Sequence, residues 1–94
     1  MSDYLRHVSI MIVDDQEFNA KILRQMLRVL GASDLRVFNN GEDAWEAFKE
    51  RPGDMVITDR KMQPMSGPTL TNLIRNSPES PNVFVPGILV KEFQ

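Results

Sequence analysis

Three carboxylates stand where apolar runs end, and they are the residues best placed to do chemistry. Asp14 and Asp15 follow Ser9-Ile10-Met11-Ile12-Val13, and Asp59 follows Met55-Val56-Ile57-Thr58. Short apolar runs rich in β-branched residues read as buried parallel strands. In an open α/β sheet, ligands bind in the crevice just beyond the carboxyl ends of the strands. If the two strands are parallel neighbours, the three acids converge there. Carboxylates held that close repel one another unless a cation or protons offset their charge. The simplest reading is a hard divalent cation, Mg²⁺, held by oxygen ligands with several waters kept.

Asp59 also opens a second signature, Asp59-Arg60-Lys61-Met62-Gln63-Pro64-Met65-Ser66-Gly67. On the acidic pair after the first strand, the aspartate closing the third, and the loop with Met62, Pro64 and Gly67, the chain resembles the receiver domain of bacterial two-component response regulators. The family's loop places proline directly after the methionine. Here Gln63 takes that position and Pro64 follows, while the spacing from Asp59 to Met62 and Gly67 is kept. The resemblance runs from Val8 to Val90.

The resemblance implies a flavodoxin-like doubly wound parallel sheet of order 2-1-3-4-5. It implies that Asp59 is the phosphoacceptor. Mg²⁺ would be held by Asp14, Asp15, Asp59 and the backbone carbonyl of Lys61, with Asp15 the nearer ligand of the pair and Asp14 acting through water. The phosphodonor would be a phosphohistidine on a sensor histidine kinase or histidine phosphotransfer protein. The module would then be a phosphoacceptor in a two-component phosphorelay, not an enzyme. The expected single domain, residues 1–94, is a receiver truncated after its fourth strand, lacking the fourth helix, fifth strand and fifth helix. Two family features go with that segment: the hydroxyl residue ending strand four and the lysine ending strand five. Aligning Pro86 with the proline that opens strand four puts Lys91 in the hydroxyl's place, and aligning Pro81 puts Pro86 there. Lys91 has two readings. It is an edge-strand charge that limits aggregation, or its ammonium reaches the Asp59 pocket as a substitute cation.

The elements that must position these residues alternate strand and helix, as a parallel sheet with helical crossovers requires. Phe18, Ile22, Leu23, Met26, Leu27 and Leu30 recur at helical spacing, and Gly31 suits the C-terminal cap. Leu35 to Phe38 reads as a second strand. Asn40 is a candidate N-cap, with Glu42 and Asp43 where the helix dipole favours acids. Ala44, Trp45, Ala47 and Phe48 supply the buried face, and residues 51–54 stop that helix. Pro68 suits the first turn of a third helix with apolar Leu70, Leu73 and Ile74. A fourth strand is expected over Gly87 to Val90, since Pro86 interrupts the run that starts at Val83. Met62 and Met65 read as loop packing, because thioethers are soft ligands and this site is hard. His7 reads as an ordinary surface residue.

Composition narrows the classes further. Ninety-four residues make one small domain with a modest core. A net charge of −2 with no basic block argues against nucleic-acid binding. The absence of cysteine excludes disulfides, zinc–thiolate sites and thiol catalysis. No apolar stretch is long enough to span a bilayer and no secretory signal opens the chain, so a cytoplasmic location is expected. The uncharged segment Val83 to Val90, left as a sheet edge, is expected to form a homodimer through the C-terminal strand, by edge pairing or by exchange of that strand. A haloacid dehalogenase-type phosphatase needs Asp-x-Asp, whereas Lys61 follows Asp59-Arg60. A second functional class stays open: a non-signalling binding or decoy module that keeps the receiver fold but has lost the phosphorylation switch.

Overall fold

Strand β1 (Ser9–Val13) is the centre of the sheet and the most deeply covered element. Residues Ile10 through Val13 have no solvent exposure. The computed structural model describes residues 4–63 and 65–78. Within them the order is β1, α1 (Glu17–Val29), β2 (Asp34–Phe38), α2 (Gly41–Glu50), β3 (Met55–Thr58) and α3 (Gly67–Arg75). The strands are parallel in the order β2-β1-β3. That is the inner part of the expected doubly wound, flavodoxin-like sheet. The expected fourth strand, Lys91 and the proposed dimer edge lie outside the described residues.

Side chains alternate across a strand, so β1 feeds two cores. Ile10 and Ile12 pack with Ala20, Leu27 and Ala32 on the α1 face. Met11 and Val13 pack with Ala44, Phe48, Val56, Met62, Leu70 and Ile74 on the face covered by α2 and α3. Helices on both faces explain why β1 reads as an unbroken apolar run. Trp45 joins the second core from its rim, its ring stacked 6.1 Å from Phe48 with the Lys49 ammonium 5.4 Å away.

Local signals set the helix ends. Gly31 has φ of 98°, which favours glycine, and follows the C-cap Leu30. The N–H of Gly31 donates to the Arg28 carbonyl and that of Ala32 to the Leu27 carbonyl, both at 3.0 Å. This is the Schellman pattern, with the accompanying apolar contact made by Ala32 and Leu27 in one core. The Asn40 side chain accepts from the Asp43 N–H at 2.7 Å and donates to the Asp43 carboxylate at 2.9 Å. Ser66 caps α3 by accepting from the Thr69 N–H at 3.3 Å, and Pro68 occupies its first turn.

Two expectations are adjusted. Strand β2 begins at Asp34 rather than Leu35, because Asp34 is paired in register with Ser9. The apolar residues of α1 are not all core: Leu27 is buried and Leu23 packs at the rim, but Phe18 is 71% and Met26 58% exposed. Ile22, Val29 and Leu30 are exposed as well. A single sheet face can cover only one stripe of a helix, and the apolar residues of α1 wrap beyond it. His7 is exposed and Met62 buried, as their sequence contexts led us to expect. No helix among the described residues is long and apolar enough to cross a membrane.

Candidate functional site

Parallel register brings the acids to one level. Val13 at the end of β1 is paired with Phe38 of β2 on one side and Thr58 of β3 on the other. One residue further, the Asp14 N–H donates to the Phe38 carbonyl at 3.0 Å and the Asp59 N–H to the Val13 carbonyl at 2.8 Å. Both aspartates therefore leave the sheet on backbone hydrogen bonds to the neighbouring strand. Asp15 follows directly from Asp14.

The side chains meet as the sequence predicted. Asp14, Asp15 and Asp59 each present a carboxylate oxygen within 4.8 Å of the others. Asp14 and Asp59 are buried, while Asp15 is exposed. Opposite ligands around one Mg²⁺ stand roughly 4 Å apart, so the cluster is of the right size for a small ion or an ion with an intervening water. Three carboxylates are also the hard oxygen donors that such an ion prefers. The residues present therefore fit Mg²⁺. Lys61 lies in the loop two residues beyond Asp59 with an exposed side chain.

Several supporting contacts carry no obvious sequence signal. An Asp14 carboxylate oxygen accepts from the Gln16 N–H at 2.8 Å, which fixes that side chain locally just before α1. The buried Thr58 hydroxyl donates to the Asp59 carbonyl at 3.0 Å. Gly67 lies so close to the Asp59–Arg60 backbone that a Cβ there would collide with the Asp59 carbonyl oxygen. Its place in the loop signature was legible, but the reason for a glycine was not.

The acid pair also borders a groove of about 490 Å³ between α1 and β2. Lys21, Arg24, Val37 and Asn39 contribute to its walls. Its α1 wall carries charges of both signs, Glu17 beside Lys21 and Arg24. At the opposite end of the sheet, Arg51 makes a two-pronged ion pair with Asp34, at 2.9 and 3.3 Å. That bond holds the Asp34 carboxyl below the usual carboxylate range.

The response regulator receiver domain family matches residues 10–90. The autoinducer 1 sensor kinase/phosphatase LuxN of Vibrio campbellii is 35% identical over 80 residues, which are 84% of this chain and 9% of LuxN. The N-terminal domain of a response regulator receiver protein from Methanoculleus marisnigri superposes with a TM-score of 0.75 at 28% identity, covering 84% of this chain and 63% of that one. A chain from the co-crystal structure of the Saccharomyces cerevisiae histidine phosphotransfer signalling protein Ypd1 with the receiver domain of its downstream response regulator Ssk1 superposes with a TM-score of 0.68 at 25% identity. That match covers 76% of this chain and 48% of the other. The chain thus spans a small part of LuxN and less than two thirds of either structural neighbour. The strand order, the three converging acids and the match across residues 10–90 agree: the chain belongs to the response regulator receiver domain family, homologous to the phosphoacceptor modules of two-component systems.

Proposed function

We propose that this chain accepts a phosphoryl group on Asp59 in a two-component phosphorelay, with Mg²⁺ bound by Asp14, Asp15 and Asp59. The observation that carries the reading is the convergence of three carboxylates within 4.8 Å at the strand ends. Phosphoryl transfer asks a protein mainly for positioning and charge neutralisation. When bound, Mg²⁺ offsets the negative charge of the carboxylates and of the incoming phosphoryl oxygens. Asp59 supplies the nucleophile: a carboxylate oxygen bonds to phosphorus as the bond from phosphorus to the donor imidazole breaks. The departing nitrogen keeps the bonding pair, and the product is an aspartyl phosphate. The backbone of β1 and β3 holds Asp59 in place for that attack, and the Gln16 N–H orients Asp14. In this role the chain is a substrate of the transfer rather than a catalyst that turns over.

The partner class we assign is a sensor histidine kinase or histidine phosphotransfer protein. The exposed apolar face of α1, beginning with Phe18 three residues after Asp15, gives such a partner a surface beside the acid pocket. Incubation with acetyl phosphate and Mg²⁺, read by Phos-tag gel or intact mass, tests the acceptor directly. Labelling that requires Mg²⁺ and is lost in Asp59→Asn is the expected result. Labelling that persists in Asp59→Asn would place the acceptor elsewhere.

A further inference from the structure

The loop that follows Asp59 is bounded by two glycines, each the first residue of a helix. Gly67 opens α3; besides its collision with the Asp59 carbonyl oxygen, a Cβ there would come within 3.0 Å of the Arg60 Cα. Its N–H donates to the Arg60 carbonyl at 3.0 Å, so the end of the loop is packed onto its beginning. Gly41 opens α2. A Cβ on Gly41 would stand 2.9 Å from the Met65 Cβ and 3.1 Å from both its Cγ and its carbonyl oxygen. Those atoms belong to the loop backbone or sit one or two bonds from it. A flexible side-chain tip could swing away from such a clash, but a Cβ and a carbonyl cannot move without the main chain.

Gly41 does not have a positive φ, so glycine serves there for space rather than for conformational freedom. Met65 is packed against the core that contains Phe48, Leu70 and Ile74, and turning outward would forfeit that contact. Gly41 is also buried, so solvent offers no relief from that side. The first turn of α2 therefore sits directly on the loop, and two residues further the loop sits directly on Asp59 and Arg60.

We propose that Gly41 is a positioning residue for Asp59, acting through Met65 and Gly67 to set where the β3 carboxylate stands relative to Asp14 and Asp15. Asp14 is held by hydrogen bonds to Phe38 and Gln16, neither of which is in the loop. A methyl group at position 41 thus presses through the loop on the Asp59 side of the acid pocket. The proposal rests on the reading of Asp59 as phosphoacceptor for its functional consequence, but the mechanical coupling stands on the contacts alone.

Two readouts on the full chain separate these levels. The amide resonances of Asp59 and Arg60 report the coupling without any metal. They are expected to move in Gly41→Ala and to return toward wild type when Met65→Gly is added, since that change removes both the Cβ and the Cγ in conflict. Met65→Ala, which trims the side chain and leaves Gly41 intact, should move the same resonances and covers the case in which Gly41→Ala does not fold. Mg²⁺ titration then reports the consequence: Gly41→Ala is expected to weaken binding roughly tenfold, in the range seen when residues supporting metal ligands are changed. Gly53→Ala is the control for simple overpacking. Its added methyl would meet Met11 at 3.0 Å, at the end of β3 away from Asp59, and should leave Mg²⁺ affinity as in wild type.

Asp59 and Arg60 resonances that stay in place in both Gly41→Ala and Met65→Ala would overturn the proposal, as would a Gly41→Ala shift that Met65→Gly does not relieve. Equal loss of Mg²⁺ affinity in Gly53→Ala would overturn it too, by showing that general destabilisation suffices. If wild type itself ignores Mg²⁺, the phosphoacceptor reading fails, and the amide shifts still decide whether Gly41 positions Asp59.

Discussion

Asp59 is held by its backbone on three sides. Its N–H is bonded to Val13, its carbonyl accepts the Thr58 hydroxyl, and that same carbonyl lies against Gly67. The carboxylate is thereby aimed from a main chain tied to its neighbours, which is what the proposed attack on phosphorus needs. Gly67→Ala should accordingly act on both stability and chemistry. Overpacking costs about 1–3 kcal/mol in general, and here the strain falls on the peptide of Asp59 itself. Chemical denaturation should show that loss, accompanied by slower labelling from acetyl phosphate. A Gly67→Ala protein as stable and as readily labelled as wild type would contradict the contact. Asp15→Asn probes the other side of the pocket. If Asp15 is the nearer ligand of the acidic pair, as the resemblance implies, calorimetry should find Mg²⁺ binding weakened more than by any other single change at the pair. Survival of Mg²⁺ binding in Asp15→Asn combined with Asp59→Asn would rule out this site. At this scale the acids were legible because each ends an apolar run. The reason for glycine at positions 41 and 67 was not, because only the folded chain shows what a Cβ would strike.

Among the elements, α1 separates what periodicity can and cannot tell. The spacing of Phe18, Ile22, Leu23, Met26, Leu27 and Leu30 located the helix almost to its ends, yet it could not say which of them face the sheet. The apolar residues wrap too far around the helix for one stripe, and Ala20, a small core residue, gave no signal. The surplus has a functional expectation. Phe18 and Ile22 are exposed, so replacing both by alanine should change stability by no more than about 0.5 kcal/mol each. Under the proposed partner, the same double change should slow labelling by a phosphotransfer protein roughly tenfold, as loss of interface anchors does, and leave labelling by acetyl phosphate intact. Equal effects on both donors would remove α1 from the docking surface. The pair Asp34–Arg51, joining the start of β2 to the end of α2, has a different signature. Its hydrogen bond lowers the Asp34 pKa, so the folded carboxyl gives up its charge at a lower pH than the unfolded one. The pair's contribution is full above the usual carboxylate range and fades as pH falls through the lowered value. Both side chains are solvent-exposed, which keeps the contribution small. Denaturation of wild type and Arg51→Ala should differ slightly near neutrality and converge in acid. A gap that widens in acid would reverse the assigned sign.

For the whole molecule, the acid pocket is a conflict between folding and function. Folding gathers Asp14, Asp15 and Asp59, which the unfolded chain keeps apart, and two of them are buried. Their mutual repulsion opposes the native state wherever nothing offsets it. Sequence made the conflict visible, since strand order and the positions of the acids imply convergence. What it left out was the degree of burial, since Asp14 and Asp59 are buried and Asp15 is not. Two opposite consequences follow for thermal stability. Without divalent cation, Asp59→Asn should raise Tm, because it removes one of the clustered charges and keeps the side chain's shape. With Mg²⁺, wild type should gain and Asp59→Asn should gain far less. A ligand that binds only the native state adds about 1.4 kcal/mol at ten times its Kd, and in a domain of this size that raises Tm by roughly 5–10 °C. Calorimetric scans of both proteins, with EDTA and across a Mg²⁺ series, measure all four values. The two proteins should therefore change rank as Mg²⁺ is added. If Asp59→Asn melts lower than wild type in EDTA, Asp59 is stabilising in the free protein and the clustered charges are already offset by groups within the chain. If both proteins rise equally with Mg²⁺, the ion binds elsewhere and the three aspartates are not its site.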